Sequence, residues 1–286
     1  MSSGVPRATL GSLVVGDACP VAIIGVLNVS PESFYGGSIH TEPDDLVRAA
    51  DAMVAAGAGI LDVGGMSTAP YLPTRISEAE EGDRLARAVG RLATKYEVPI
   101  SVDTFRSGPA RAALDAGAAI VNDVTGLRGD PDMAALVVAR GAGLILMAHR
   151  APGGLPTAGR RAPIEAVSRA LVESLALARG AGIADERIVL DPGIGFIRDG
   201  HLPWYEWDAA IIAHLDELRA LGRPVCVGVS RKSFIGALAG RDRPADRLAG
   251  SLAATAVAVR HGAALIRTHD VAESRDAVRV ASALRP

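Results

Sequence analysis

The sequence predicts an α/β fold, a (β/α)8 TIM barrel with a short N-terminal hairpin. Eight short apolar runs recur along the 286 residues, and each one stops at a polar side chain that can do chemistry. Segments with a helical pattern separate the runs, and most of these segments end at a glycine. Strands that are buried on both faces, with polar residues at their carboxyl ends, are typical of such barrels.

The apolar runs predict the barrel strands in order. They cover 21–27 before Asn28, 59–61 before Asp62, 99–102 before Asp103, 118–121 before Asn122 and Asp123, 143–148 before His149, 187–190 before Asp191, 224–229 before Ser230, Arg231 and Lys232, and 263–266 before Arg267. The helical patterns cover 43–56, 77–95, 107–116, 131–140, 163–181, 207–221, 245–261 and 271–284. Residues 7–19 alternate weakly and carry turn glycines, so we expect a hairpin that covers the barrel floor.

Length and composition favour one domain over residues 1–286, with the barrel itself from about 21 to 284. Hydrophobic residues make up 49% of the chain and the mean hydropathy is +0.25, which supplies ample material for a core. Aromatic residues are only 3%, which fits small branched side chains layered inside a barrel. The net charge of -2 provides no basic field for nucleic acid or an anionic membrane, so we expect neither as a partner.

Cysteine usage predicts a cytoplasmic location. Cys19 and Cys226 are too few for a disulfide framework, and Cys226 lies inside an apolar run. The chain shows no charged-then-apolar signal at its start and no stretch that approaches about 18 uninterrupted apolar residues. We therefore expect free thiols in a reducing compartment and no membrane span.

Three connections are longer than packing requires, at 28–42, 64–76 and 149–162. All three follow strands at the same end of the predicted barrel. Long strand-to-helix loops at this face normally carry function. We expect the first two to be lids that become ordered on substrate.

Carboxylate and amide side chains end three of the predicted strands. Asp191 begins the turn sequence LDPGIGF, and Asp103 and Asn122 end neighbouring strands, so the three should converge on one ligand. Such acceptors suit the guanidine-like edge of a heterocycle, whereas oxygen ligands for Mg²⁺ are the alternative. An Asx turn or a helix cap is the structural alternative for Asp191. Asp62 and Asp123 could equally cap loop amides.

Cationic and hydroxyl side chains follow the last two predicted strands. Ser230 and Lys232 lie in GVSRKSF, and Arg267 and His269 lie in RTHD. Loops after strands seven and eight commonly form the phosphate site of such barrels, so these residues suit a diphosphate or a carboxylate. A solvated surface cluster is the alternative. Asn28 ends the strand beside the eighth, where it can join this group or hold a metal.

Taken together, these motifs resemble the dihydropteroate synthase family, the pterin-dependent enzymes of folate synthesis that sulfonamides inhibit. The resemblance covers residues 24–271, which is nearly the whole barrel. Any one motif would be weak evidence, but seven in the family's order are highly specific. The motifs are IIGVLNVSPESF, DVGGMST, SVDTFRS, VNDVTG, LDPGIGF, GVSRKSFIG and RTHDV.

The resemblance implies an activity and a set of site residues. Family members join 6-hydroxymethyl-7,8-dihydropterin diphosphate to p-aminobenzoate and release diphosphate, with Mg²⁺ as cofactor and usually as homodimers through late outer helices. The implied pterin contacts are Asp103, Asn122, Met147, Asp191, Phe196, Lys232 and Arg267. The implied diphosphate contacts are Asn28, Arg267 and His269, with Asn28 as the metal ligand. The p-aminobenzoate pocket would take Ser230, Lys232 and Phe196, with Phe34, Thr68 and Pro70 from the lids. The implied catalytic residues are Asp103, Lys232, Arg267 and His269.

The long connections depart from the family pattern. Gly36 replaces a common acidic residue, Met66 replaces a glutamate and Ala69 replaces an arginine. The sequence LMAHR also replaces the more usual LMH, and Arg198 stands where a lysine is frequent. One interpretation is a synthase that is insensitive to sulfonamides. The alternatives are a different arylamine acceptor, as in tetrahydromethanopterin synthesis, a pterin-dependent methyltransferase, and a pterin-binding protein without catalysis.

Overall fold

The computed structural model describes residues 5–30, 43–67, 76–149, 162–197 and 202–284. Its strands are β1 Arg7–Leu10, β2 Leu13–Gly16, β3 Ala22–Asn28, β4 Ile60–Gly64, β5 Ile100–Asp103, β6 Ile120–Asp123, β7 Gly143–Met147, β8 Ile188–Asp191, β9 Cys226–Gly228 and β10 Leu265–Thr268. Its helices are α1 Pro43–Ala56, α2 Glu78–Ala93, α3 Ser107–Asp115, α4 Met133–Arg140, α5 Ala162–Gly180, α6 Trp204–Ala213, α7 Ser233–Ala239, α8 Leu248–Arg260 and α9 Val271–Ala283. Short 3₁₀ turns cover Asp185–Arg187, Leu215–Leu221 and Pro244–Arg247.

Strands β3 to β10 form one parallel sheet in the order β8-β7-β6-β5-β4-β3-β10-β9. The two outermost strands meet through a parallel bridge between Leu190 and Val225, where the Leu190 amide donates to the Pro224 carbonyl over 2.9 Å. This contact brings the ends of the sheet together as a barrel. The predicted fold class, a (β/α)8 barrel with an N-terminal hairpin, is confirmed.

Side chains alternate between the barrel interior and the surrounding helices, because successive residues of a strand point to opposite faces. The outward residues Leu61, Val102 and Leu190 are fully buried or nearly so in the cluster that includes the helices. The inward residues near the floor form a separate apolar cluster. Nearer the carboxyl ends, most of the polar strand residues face inward, namely Asp62, Ser101, Asp103, Asn122, Asp191 and Arg267.

The β1–β2 hairpin closes the floor of the barrel, as predicted. Ala8, Leu10 and Val15 belong to the same apolar cluster as the inward floor residues. Leu10 lies so close to strand β7 that a Cβ placed on Gly143 would be 2.8 Å from Leu10 Cδ2. The lack of a side chain at Gly143 therefore leaves room for Leu10 and lets the hairpin pack against the floor. The polar inward residues described above lie at the opposite end of the barrel.

Two helical predictions differ from the structure. The predicted helix 207–221 is interrupted at His214, which separates α6 from the 3₁₀ turn Leu215–Leu221. Helix α7 was not predicted, because its seven residues are too short to display a helical period. None of the described helices is both long and apolar enough to cross a membrane.

Truncation of the hairpin's anchoring side chain should destabilise the whole barrel. Leu10→Ala leaves a cavity against the floor residues, so we expect a loss of about 2–5 kcal/mol in the free energy of unfolding. Urea denaturation measures this loss. The control Val138→Ala alters a side chain that is 42% exposed, and it should change stability by less than about 0.5 kcal/mol. Equal losses in both variants would contradict the assigned role of the hairpin.

Candidate active site

Strand register brings the predicted polar residues to one rim. Asp103 pairs with Gly64 on one side and with Asn122 on the other, and Asp191 pairs with Met147. These positions are all inward-facing and lie at the carboxyl ends of β5, β6 and β8. The convergence expected from the sequence is therefore present in the structure.

Arg267 joins two carboxylates at the centre of this rim. Its Nε donates to Asp62 Oδ2 over 2.7 Å, and its Nη2 donates to Asp103 Oδ2 over 2.8 Å. Asn122 Nδ2 also donates to Asp62 Oδ2, over 3.3 Å. A guanidinium in a barrel interior needs such partners, because an unpaired buried charge is strongly destabilising.

Each of these two carboxylates keeps one buried oxygen that accepts no hydrogen bond within the described residues, Asp62 Oδ1 and Asp103 Oδ1. Burial raises the pKa of Asp103 to about 7, while the charge of Arg267 acts in the opposite direction. Buried acceptors without a partner are rare in native proteins and call for an explanation. A ligand that presents N–H groups to Asp103 Oδ1 would satisfy one of them.

Asp191 is buried at the rim and also shapes the turn that follows β8. Its Oδ1 accepts from the Gly193 amide over 2.7 Å, which is the Asx turn that the sequence left open. Gly193 has a φ of +68°, and a Cβ there would lie 2.9 Å from the Ala148 carbonyl oxygen, so the turn requires glycine. Burial raises the pKa of Asp191, and the charge of Lys232 opposes that shift.

Lys232 lies after β9, at the start of α7, and faces the DPGIGF turn. Its Nζ donates to the Ile194 carbonyl and lies 5.1 Å from the centroid of the Phe196 ring. The turn is held from behind by Asp208, a fully buried carboxylate of α6 that accepts from the Gly195 amide over 3.0 Å. Asp208 was missed in the sequence, since an aspartate within a helical pattern carries no local signal of such a contact.

Ser230 and His269 link the ends of β9 and β10. Ser230 Oγ is hydrogen-bonded to His269 Nδ1 over 2.9 Å, and it also accepts from the His269 amide over 3.3 Å. Burial lowers the pKa of His269 to about 3, and the neighbouring charges of Arg267, Arg231 and Lys232 act in the same direction. The imidazole is therefore neutral, and its ring N–H and the ammonium of Lys232 are donors that suit an anionic ligand.

Asn28 ends strand β3 on the same rim. It pairs with Gly64, and a Cβ at Gly64 would lie 3.0 Å from Asn28 Oδ1, so glycine leaves room for the amide oxygen. Among the described residues, no group of three or more His, Cys, Asp or Glu side chains could hold a metal ion.

The structure places two further predicted residues and leaves three others undescribed. Met147 ends β7, and a Cβ at Gly193 would lie 3.3 Å from its Cγ. Phe196 lies in the DPGIGF turn. Phe34, Thr68 and Pro70 lie outside the described residues, as do Gly36, Ala69 and Arg198. Met66 is described and is buried.

Asp62 and Asp123 turn out to have different roles. Asp123 caps its loop, since its carboxylate accepts from the amides of Thr125 over 2.7 Å and Leu127 over 3.1 Å. The capping alternative is wrong for Asp62, whose Oδ2 binds Arg267 and Asn122. Strand β4 continues to Gly64, so Asp62 is an inward residue within the strand and not a residue at its end.

The neutral state of His269 predicts a pH effect on stability. The unfolded chain binds a proton on this histidine below pH 6.5, whereas the folded state does so only near pH 3, so stability falls as pH decreases through 6.5. The slope is at most about 1.4 kcal/mol per pH unit. His269→Gln should lose less stability than the parent between pH 6.5 and pH 5, as measured by urea unfolding. His261→Gln, at an exposed imidazole 3.2 Å from Asp216, is the control. Identical slopes for the parent and His269→Gln would contradict the assignment.

Comparisons with known proteins agree with this geometry. Residues 24–269 match the family model described as pterin binding enzyme. The dihydropteroate synthase of Mycobacterium leprae is 42% identical over 92% of this chain and 93% of its own length, and that of Escherichia coli is 38% identical over 91% and 90%. The structure of Xanthomonas albilineans dihydropteroate synthase with 4-aminobenzoic acid superposes with a TM-score of 0.84 at 37% identity, over 98% of each chain. The same enzyme with 7,8-dihydropteroate superposes with a TM-score of 0.80 at 34% identity, again over 98% of each chain. The family resemblance seen in the motifs is confirmed, and this chain belongs to the pterin-binding enzyme family.

Proposed function

We propose that this chain is a dihydropteroate synthase, a transferase that joins 6-hydroxymethyl-7,8-dihydropterin diphosphate to p-aminobenzoate and releases diphosphate. The observation that carries the proposal is the rim on which Arg267 holds Asp62 and Asp103 while Asp191 and Lys232 face the same space. Relatives and solved structures bearing this name cover more than nine-tenths of the chain.

The pterin ring has donors where this rim has acceptors. Asp103 Oδ1 is buried without a hydrogen-bond donor from the described residues, so it is available to a ring N–H or amino group. Asn122 lies on the neighbouring strand β6 and Asp191 on β8, and they supply an amide and a second carboxylate. Met147, Phe196 and the guanidinium of Arg267 surround the flat ring. We assign these residues to pterin binding, together with Lys232.

The cations at β9 and β10 suit the leaving group. Departure of diphosphate leaves a cationic methylene on the pterin, which the electron-rich ring and the negative charge of Asp103 stabilise. Arg267, Lys232 and the N–H of neutral His269 stabilise the departing anion. The arylamine then attacks a carbon that is already held in place and loses one N–H proton to water. No protein nucleophile is needed, and orientation supplies much of the acceleration.

We propose Mg²⁺ as the cofactor, with Asn28 as its protein ligand. The donor fits this ion, because Mg²⁺ takes hard oxygen ligands such as an amide oxygen, and substrate phosphate oxygens and water would complete its coordination. When bound, the ion would neutralise charge on the diphosphate. Activity that survives exhaustive chelation would refute this assignment.

The acceptor pocket is proposed beside Ser230, Lys232 and Phe196, with Phe34, Thr68 and Pro70 contributed by the long connections. The Xanthomonas albilineans enzyme was solved with 4-aminobenzoic acid, which supports p-aminobenzoate as the acceptor here. A different arylamine would instead give turnover with ribosylated analogues and none with p-aminobenzoate.

A second candidate property follows from Met66. This residue is buried and uncharged, whereas the resemblance places a glutamate there and an arginine at Ala69. We propose that the loss of this charge pair changes how the second connection encloses the acceptor and weakens sulfonamide binding.

We also propose a homodimer and a cytoplasmic location. The outer face of α7 and α8 exposes Leu238 and Val257 beside an apolar groove of about 340 Å³, which suits a second copy of this chain. Sedimentation equilibrium tests the dimer, and Leu238→Asp should weaken it.

The two free cysteines, one of them buried, favour a reducing compartment, and cell fractionation tests that location.

Activity measurements test the proposed reaction. Diphosphate release from the dihydropterin diphosphate should depend on p-aminobenzoate and yield dihydropteroate. Asp191→Asn and Lys232→Ala should each lower turnover by at least about 100-fold, because each removes a preorganised electrostatic contact. Lys95→Ala, in a surface ion pair with Asp51, is the matched control and should leave turnover unchanged. Ligand binding without diphosphate release would instead indicate a pterin-binding protein or a methyltransferase.

Inhibition constants test the sulfonamide proposal. Sulfamethoxazole should inhibit this chain with a Ki at least about tenfold above that of the Escherichia coli enzyme, a difference of about 1.4 kcal/mol. Met66→Glu combined with Ala69→Arg should lower the Ki and leave the KM for p-aminobenzoate nearly unchanged. Equal inhibition of the two parent enzymes would dispose of the proposal.

A further inference from the structure

A buried ion pair joins the loops after β9 and β10 behind the substrate-facing residues. Arg231 Nε donates to Asp270 Oδ2 over 2.9 Å, and Arg231 Nη2 donates to Asp270 Oδ1 over 2.6 Å. The two side chains are only 7% and 13% exposed. This paired contact needs the planar fork of arginine, since a lysine ammonium cannot make both bonds in one plane.

Other hydrogen-bonding groups of Arg231, on its side chain and its backbone, also have partners. Its Nη1 donates to the carbonyls of Pro244 over 3.1 Å and Ala245 over 2.8 Å. Its backbone N–H donates to Ser251 Oγ over 2.8 Å, and its backbone carbonyl accepts from Arg247 Nη1 over 3.1 Å. The side chain and the backbone of this residue are thus fixed independently.

These contacts hold a strained backbone. Arg231 has a φ of +55°, a left-handed conformation that costs an L-residue other than glycine about 1–2 kcal/mol. Such strain persists only where the surroundings over-determine it, and it is concentrated at functional sites. The chain reverses direction at this residue, between Ser230 and Lys232.

The strained residue connects three side chains of the site. Ser230 precedes Arg231 and contacts His269, and Lys232 follows Arg231 and contacts the Ile194 carbonyl. His269 in turn directly precedes Asp270. The ion pair therefore joins the two loops that carry a hydroxyl, an ammonium and an imidazole of the site.

We propose that Arg231 and Asp270 are positioning residues that align Ser230, Lys232 and His269 with the diphosphate and the arylamine without touching either substrate. The inference rests on the proposed function and deepens it. Asp103, Asn122 and Asp62, which lie on β4 to β6, make no hydrogen bond to this pair among those seen in the described residues. Loss of the pair should therefore affect diphosphate-dependent steps and spare recognition of the pterin ring by those residues.

The test compares Asp270→Asn, Arg231→Lys and the double variant with the parent. Steady-state kinetics give kcat and both KM values, and titration with 6-hydroxymethylpterin, which lacks the diphosphate, gives the affinity for the ring. Each single variant should lose about 10- to 100-fold in kcat/KM for the diphosphate substrate, and ring affinity should stay within about threefold. The kcat/KM of the double variant should lie within about threefold of that of the more impaired single variant, because both changes break the same contact.

Asp185→Asn is the matched control. It breaks another two-bond arginine–aspartate pair, Arg179 with Asp185, in which both distances are 2.8 Å and which lies just before β8 at the floor end. This control should keep kcat/KM within about twofold of the parent. Arg231→Gly provides a second check, since glycine accepts the left-handed backbone without strain but lacks the fork, and it should be as impaired as Asp270→Asn.

Three results would overturn the inference. The first is a kcat/KM within twofold of the parent in both single variants. The second is an equal loss of affinity for 6-hydroxymethylpterin. The third is an Arg231→Gly variant with the kcat/KM of the parent. If Asp270→Asn does not fold, as judged by circular dichroism, Arg231→Lys and Arg231→Gly decide the outcome. Failure of the proposed function is recognised separately, because the parent itself would then release no diphosphate.

Discussion

The site depends on a buried guanidinium inside a barrel. Arg267 can remain charged there only because Asp62 and Asp103 each accept one of its N–H groups, over 2.7 and 2.8 Å. The same bonds orient both carboxylates, so that one oxygen of each is engaged and the other is left for a ligand. Asn122 is attached to this arrangement through Asp62. One buried charge therefore organises polar side chains on three other strands, and removal of any partner would leave the others uncompensated.

The barrel separates apolar from polar surfaces along each strand. Most outward residues pack under the helices, inward residues near the floor pack against the hairpin, and the polar inward residues lie near the carboxyl ends. This division excludes water from below, which strengthens electrostatic interactions at the rim. It also explains the raised pKa values of Asp103 and Asp191, because burial disfavours their charged forms while Arg267 and Lys232 favour them.

The rim has two sides with different chemistry. Strands β5, β6 and β8 contribute acceptors for a ring with N–H donors, whereas β9 and β10 contribute cations, a hydroxyl and a neutral imidazole for an anion. Each side has its own support, with Asp208 behind the DPGIGF turn and Arg231 with Asp270 behind the cationic loops. Such a division suits a reaction in which a ring is held still while a charged group departs from it.

The sequence by itself determined the eight strands, their order, the family and most of the rim, because doubly buried strands are read as apolar runs and motif spacing is local. It did not separate Asp62 from Asp123, since both are acids after an apolar run. Only strand register showed that Asp62 faces Arg267 while Asp123 caps a loop. The break at His214, the short helix α7 and the left-handed Arg231 were likewise decided by tertiary contacts. The physical reason is that residues 205 positions apart, such as Asp62 and Arg267, meet only when the barrel closes, and no local pattern encodes that meeting.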